Sequence, residues 1–432
     1  MDGPPERYAP HPAEFRPIPP TIVNRFVPQS RTFIQLTMTI ARQSLPVVTL
    51  RPREDRRLRH GHLWVFSNEI AQVEGDGTPG ALVRVVAAGG GTLGVGIYNP
   101  HSLIAVRLTS RDDEDLDMAW LRNRLGRALR LRRTLFPEGH TYRLVHSESD
   151  GVPGVIVDRY EGVAVVQIAA IGMEMRREML FDALMEIDGI AGVVERNDHA
   201  LRSLEGLPQR VGPVRGVADP QIVSDGVLRY RVDPLGGQKT GFYLDQRENR
   251  LAMRRFMREG RVLDLFSNHG GFALHALHAG AGHVVAVESS AAAIAEMEVN
   301  RTLNGLGTLR AIEDDAFIEL HDARARGDRY DVVIADPPPF SRSKKYVVAA
   351  RKKYVELFSL SLGLLASEGV AFLATCSHHI TRDTFLEIIR ESLFRARRSG
   401  VILEERGASP DHPVHPMMPE TGYLHGAIVR TD

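Results

Sequence analysis

Asp264-Leu-Phe-Ser-Asn-His-Gly-Gly-Phe272 ends one short apolar run and opens a helical pattern. A strand that terminates in paired glycines lets backbone approach a bound molecule closely, and the start of the next helix offers unpaired N–H groups. Working outward, apolar runs recur at Val262 to Phe266, Val284 to Glu288, Leu309 to Ile312, Asp331 to Ala335, Val370 to Thr375 and Val401 to Glu405, with helical patterns between the first five. That alternation predicts an α/β fold: a Rossmann-like, mostly parallel, doubly wound sheet. Ligands of such sheets bind beyond the carboxyl ends of the strands, so chemistry is sought in the residues that follow each run. The glycine turn lacks the G-x-G-x-x-G pattern of dinucleotide enzymes, which disfavours NAD.

Three further strand ends carry suitable groups. Glu288 closes the second run, where a carboxylate can accept both hydroxyls of a ribose. The fourth run is followed by Asp336-Pro-Pro-Pro-Phe340, in which rigid prolines fix the carboxylate and the aromatic ring offers a flat surface to a base. The fifth ends Leu373-Ala-Thr-Cys-Ser-His378, and adjacent strands of this kind of sheet bring Cys376 beside Asp336. A lone cysteine is commonly just a small buried hydrophobe. Its place at the ligand edge makes Cys376 a candidate nucleophile, and a thiolate beside a carboxylate suits attack on an electron-poor ring.

The chain has 432 residues, too long for one ordinary core of roughly 100 to 200 residues. Residues 1 to 44 are proline-rich and aperiodic and read as a disordered extension, within which Met38 is an alternative start. Residues 45 to 112 alternate glycine turns with apolar runs at Val47 to Leu50, Leu63 to Phe66, Ala81 to Val86, Leu93 to Tyr98 and Leu103 to Leu108, predicting a small all-β domain. Residues 113 to 235 predict a central α+β domain. Its expected elements are a helix over 115 to 136, strands at Tyr142 to Val145, Val152 to Asp158 and Val163 to Ile168, a helix from Met173 to Ile187, and strands near Val193 and Leu228. Residues 236 to 432 form the alternating domain.

No window approaches the roughly 18 apolar residues of a spanning helix, so no membrane role is expected. One cysteine cannot form an internal disulfide, which points to the cytoplasm. A formal net charge of +0 argues against indiscriminate coating of nucleic acid. Arg51, Arg53, Arg56, Arg57 and Arg59 nevertheless crowd together, and Arg122, Arg124, Arg127, Arg130, Arg132 and Arg133 recur along the expected helix, as RNA contacts or as salt-bridged faces. The pairs His275/His278 and His412/His415 lack carboxylates at ligand spacing, so no metal is expected.

The run Gln238-Lys-Thr-Gly-Phe-Tyr-Leu-Asp-Gln-Arg-Glu-Asn-Arg250 resembles the class I rRNA large-subunit methyltransferases of the RlmI type, which make 5-methylcytosine. So do the Asp264 to Gly271 turn, Asp336-Pro-Pro, Thr375-Cys-Ser, Asp411-His-Pro and Pro419-Glu-Thr. Glu148-Ser-Asp-Gly-Val-Pro-Gly-Val-Ile-Val-Asp-Arg-Tyr160 resembles their central domain, and His62-Leu-Trp-Val-Phe66 their N-terminal PUA domain. The resemblance runs from about Pro46 to the end. It implies S-adenosyl-L-methionine as cofactor and RNA, in particular large-subunit rRNA, as partner. By the same resemblance Lys239, Thr240, Phe242 and Asp245 border the cofactor. Asp264, Gly270 and Gly271 hold its methionine part, Glu288 its ribose, Asp315 faces its adenine, and Phe266 is a further cofactor-binding residue. Asp336, with Pro337, Pro338 and Phe340, would bind the target base, and Cys376 would be the nucleophile.

Two departures bear on this. Pro338 and Pro339 stand where many RNA 5-methylcytosine enzymes carry a second cysteine, and His378-His379 replaces smaller residues. Two other functions stay open: amino-nitrogen methylation of a purine through Asp336-Pro-Pro, and a non-catalytic RNA-binding or assembly factor. The oligomeric state, homodimer included, and the proton-removing base are not fixed by the sequence.

Overall fold

The computed structural model describes residues 44–237, 240–341 and 344–432, so the extension read over residues 1–44, Ser44 apart, and the expected cofactor residue Lys239 lie outside the described residues. The C-terminal half is built on one seven-stranded sheet. Its strands are β1 (Arg261–Leu265), β2 (His283–Glu288), β3 (Arg310–Glu313), β4 (Tyr330–Ala335), β5 (Leu365–Thr375), β6 (Gly400–Arg406) and β7 (His425–Thr431). The spatial order is β3-β2-β1-β4-β5-β7-β6. The first five are parallel, while β7 pairs antiparallel with both β5 and β6 and is therefore the reversed strand.

Helices α1 (Gly271–His278), α2 (Ala291–Leu303), α3 (Ala316–Arg326) and α4 (Val347–Gly363) connect the parallel strands, and α5 (Arg382–Ala396) leads into β6. The central strands read as continuous apolar runs because helices cover both faces. Successive residues point to opposite sides. Leu263, Val285, Val333 and Leu373 pack with Leu320, Tyr354, Phe358 and Ile388 of α3, α4 and α5. Their neighbours Val262, Val284, Val332 and Phe372 pack with Phe272 and Met297 of α1 and α2. Each such large side chain taken fully out of water contributes about 1.5–3 kcal/mol.

Upstream, a six-stranded sheet spans Val47 to Ser110 and contains all five expected runs. It adds Ile70–Glu74, an edge strand whose Gln72 and Glu74 hid it from a search for apolar runs. A second sheet joins Thr141–His146, Val155–Tyr160, Val163–Ile168, Gly192–Asn197 and the unanticipated Arg210–Gly216. The helix expected from Met173 to Ile187 is instead two, Ile171–Glu174 and Arg177–Met185. The strand expected near Leu228 is one arm of the hairpin Gln221–Ser224/Arg229–Val232.

The long helix Met118–Leu135 starts where Asp117 accepts the Trp120 N–H at 2.8 Å. Its arginines divide in character. Arg132 is fully buried and bidentate on Asp150 at 2.6 and 2.7 Å, Arg122 and Arg124 pair with Glu186 and Glu114, and Arg127, Arg130 and Arg133 are exposed. Among the described residues no helix is long and apolar enough to cross a membrane.

Candidate active site

The strand order reverses between β1 and β4, and the crevice above the carboxyl ends of these two strands is the natural ligand site. A cavity of about 350 Å³ opens there, large enough for a small-molecule ligand. Its walls come from successive strand ends: Phe266 and Gly271 after β1, Glu288 at the end of β2, Asp336, Pro337 and Pro338 after β4, and Cys376 after β5, with Phe242 and Asp245 from the preceding segment.

The loop after β1 is held in an unusual conformation. Phe266, Asn268 and Gly270 have φ of +58°, +49° and +83°, backbone strain of the kind that persists only where surrounding bonds enforce it. Asp264 supplies that enforcement. Its carboxylate accepts from the Ser267 hydroxyl at 2.6 Å and the Ala273 N–H at 2.9 Å, and it is buried below the cavity floor rather than lining it. Burial raises its pKa to about 7. At Gly270 a Cβ would meet Met297 Cγ at 2.6 Å, so the left-handed glycine is required both by angle and by space.

Glu288 faces the cavity while its two oxygens accept N–H bonds from Asn268 and Ser290, each at 2.9 Å. A carboxylate has about four acceptor positions. The Ser289 hydroxyl donates a longer bond of 3.4 Å to the oxygen that Ser290 also uses, and the acceptor capacity left over suits a ribose hydroxyl.

Across the cavity, the Cys376 thiol lies 3.7 Å from the Pro337 carbonyl oxygen, to which it donates. The loop behind it is fixed by Tyr354, whose hydroxyl meets Ser377 Oγ at 2.9 Å. Asp336 and Cys376 therefore share one wall, as strand adjacency predicts.

Gly270 shapes the loop without lining the cavity, and three further expected residues lie elsewhere. Thr240 donates to Asp158 at 2.6 Å and lines a neighbouring cavity. Asp315 caps α3 by accepting the Phe317 N–H at 2.8 Å and is exposed. Phe340 packs on Tyr354, ring centres 4.6 Å apart, with the Lys353 ammonium 5.0 Å from its own ring centre, and does not line the cavity.

Other lining residues went unnamed in the sequence reading. Arg250 stacks its guanidinium 4.9 Å from the Phe242 ring centre and donates to the Tyr243 carbonyl at 2.9 Å. Tyr243, Asn268, His269 and Leu424 also face the cavity. Arg250 and Tyr243 stand inside the Gln238–Arg250 run, which was the available signal. Burial lowers the pKa of His269 and keeps its imidazole neutral.

A segment from Ser409 to Tyr423 bonds to Asp245 of the cavity wall and reaches every module. The Ser409 N–H donates to the Asp245 carbonyl at 2.8 Å, and the Tyr423 hydroxyl donates to the Asp245 carboxylate at 2.6 Å. Asp411 accepts the Arg143 N–H on its carboxylate and an Arg132 N–H on its carbonyl, both at 2.8 Å. The Met418 sulfur accepts the Leu63 N–H at 3.2 Å. The histidines considered as ligands have other partners: His275 meets Asp225 at 2.8 Å, and His412 meets Asp411 at 2.9 Å. Among the described residues no group of three or more His, Cys, Asp or Glu is arranged to hold a metal ion.

The fold and the cavity together define an S-adenosylmethionine-dependent methyltransferase. A family model of that description matches residues 213–414, and one of a PUA-like domain matches residues 48–111. Proteins named Ribosomal RNA large subunit methyltransferase I from Escherichia coli (strain K12) and Klebsiella pneumoniae (strain 342) are 36% identical over 394 and 392 residues. The alignments cover 90% and 89% of this chain and 99% and 98% of theirs. The chain belongs to that family. A solved methyltransferase in complex with SAH and a SAM-dependent methyltransferase from Streptococcus mutans share its fold. Each has a TM-score of 0.77 at 19% identity, covering 89% of this chain and 99% of its own.

Proposed function

We propose that the protein methylates carbon 5 of a cytosine in large-subunit ribosomal RNA, with Cys376 as nucleophile. The observation that carries this is the shared wall: Cys376 and Asp336 face the cavity that Glu288 and the Phe266–Gly271 loop equip for the cofactor. The relatives' names supply the RNA class.

Carbon 5 of cytosine is a poor nucleophile. Addition of the Cys376 sulfur at carbon 6 forms an S–C bond and moves the ring's π electrons to carbon 5. S-adenosylmethionine, when bound, supplies an electrophilic methyl group. The activated carbon 5 takes that methyl as the donor's S–CH3 bond breaks to leave S-adenosylhomocysteine, the carbon-5 proton leaves to a base, and the cysteine S–C bond breaks to restore the ring double bond and the thiolate. Asp336 holds the amino and ring-nitrogen edge of the base during these steps. In the free protein the thiol donates to the Pro337 carbonyl, so the proton must leave before addition; a free cysteine has a pKa of about 8.5. The PUA-like module and the exposed arginines Arg127, Arg130 and Arg133 serve RNA binding in this reading.

The test is mass spectrometry of the protein incubated with S-adenosylmethionine and large-subunit rRNA containing 5-fluorocytosine. Fluorine at carbon 5 blocks proton loss and traps the covalent species. A covalent RNA adduct is expected in the wild type and not in Cys376→Ser. Absence of adduct, with methyl transfer intact in both proteins, overturns the carbon-5 reading in favour of amino-nitrogen methylation.

A further inference from the structure

We propose that a second cavity beside the cofactor cavity holds the base of an unpaired RNA nucleotide adjacent to the one being methylated. This rests on RNA being the substrate. The cavity has a volume of about 310 Å³ and shares Phe242, Tyr243 and Asp245 with its neighbour. His378, two residues beyond Cys376, lies on its wall. A strand that delivers one base to Cys376 therefore carries the next one past this opening.

The lining suits a flat, uncharged, hydrogen-bonding group. Four rings form a connected aromatic surface. His146 and His412 have centres 5.4 Å apart, His146 and Tyr423 6.4 Å, and His378 and Tyr423 5.6 Å. Burial, with Arg143 nearby, lowers the His146 pKa to about 3, and burial raises the Tyr423 pKa well above its ordinary value, so both rings are neutral near pH 7. Single-stranded RNA is recognised by stacking on rings of this kind.

Arg143 and Glu148 of the lining each have an oppositely charged partner behind the wall. Arg143 is the one Lys or Arg among its described lining residues, and it is bidentate on Asp158 at 2.8 and 3.0 Å. Glu148 accepts from the Trp64 indole and from Arg107, each at 2.8 Å. Among the described lining residues no Lys or Arg is left without a carboxylate partner to meet a phosphate, which favours the base over the backbone.

The Gln167 carboxamide also lines the cavity, and no hydrogen bond to it is found among the described residues. It brings two donors and an acceptor, the complement of a base edge. Trp64, Gln167 and Tyr423 come from three different modules, so an RNA strand seated here touches all of them.

The test is ultraviolet cross-linking of the full chain to transcribed large-subunit rRNA with S-adenosylhomocysteine present, and mass spectrometry of peptide–nucleotide adducts. Methylation kinetics on the same transcript run in parallel. Adducts are expected on Tyr423, Trp64 or His146, and should disappear in Gln167→Trp, which fills the cavity. The KM for RNA should rise about tenfold or more in Gln167→Trp and by a smaller factor in Gln167→Ala. S-adenosylhomocysteine affinity should stay within about twofold in both variants, which guards against a folding defect. An unchanged KM in Gln167→Trp, with adducts mapping only outside the cavity, overturns the proposal. A wild type that does not methylate the transcript instead defeats the RNA-substrate reading and this one with it, whereas methylation at an atom other than carbon 5 leaves this test unaffected.

Discussion

The Cys376 thiol donates to the Pro337 carbonyl oxygen across 3.7 Å, which ties the end of β5 to the proline turn after β4. The proposed nucleophile and the turn proposed to hold the base are thereby tied together by a direct contact. Cys376→Ala should lower single-turnover methyl transfer by on the order of 10³ or more, because covalent activation of the ring is lost. S-adenosylhomocysteine affinity, measured by calorimetry, should remain within about twofold. Retention of wild-type turnover would falsify a covalent role.

Glu288 lines the cavity while accepting two backbone N–H bonds, and its proposed role is to accept from the cofactor ribose. In Glu288→Gln one acceptor becomes a donor and the charge is lost. Hydrogen bonds to a charged group contribute about 1.5–3 kcal/mol, so the dissociation constant for S-adenosylmethionine should rise about 10- to 100-fold. Titration calorimetry reads this directly, with the thermal midpoint as the control.

Asp264 links fold stability to pH in an unusual direction. Its folded-state pKa of about 7 lies above the roughly 3.9 of an exposed aspartate, so the native state holds the extra proton. This contribution is therefore fully present below about pH 4 and is lost as pH rises toward 7. In Asp264→Asn the amide oxygen can still accept from Ser267 and Ala273, but no charge has to be buried. Relative to wild type, the variant should be more stable at pH 8 than at pH 5 by urea unfolding, by on the order of a few kcal/mol. His146 acts with the opposite sign. Its folded-state pKa of about 3 lies below the ordinary value, so its contribution is present above about pH 6.5 and is lost as pH falls toward 3. An equal pH slope in wild type and Asp264→Asn would count against the assignment to Asp264.

Arg132 is fully buried, and Asp150 is its one carboxylate partner among the described residues. Removing the partner strands the charge. Asp150→Ala should cost about 3–5 kcal/mol in denaturant unfolding, while a double change of Arg132 and Asp150 to apolar residues of similar volume should recover much of that loss.

Where a residue's position depends on strand adjacency, it was legible in the sequence. Asp336, Glu288 and Cys376 all follow apolar runs, and parallel strands place such positions together. Where the role depends on side-chain direction, it was not. Asp264 lies within the same kind of run, near its carboxyl end, yet its carboxylate turns under the loop to Ser267 and Ala273. Asp315 sits at a strand end but is used as a helix cap, a choice that local hydrogen bonding makes and periodicity does not record. Phe340 turns to Tyr354 because the apolar face of α4 is close by. Arg250 could be quoted within a motif, but only tertiary packing over Phe242 and against Tyr243 brings it to the cavity. The reversal of β7 was equally hidden, since an apolar run carries no direction.

The segment from Ser409 to Tyr423 lies near the end of the chain, yet its bonds reach Leu63, Arg132, Arg143 and Asp245. A chimera made by joining the first half of one relative to the second half of another at a junction near residue 236 splits these contacts between two parents. The reading modules and residues 409–423 must therefore be inherited together, whichever parent supplies the remainder of the catalytic sheet.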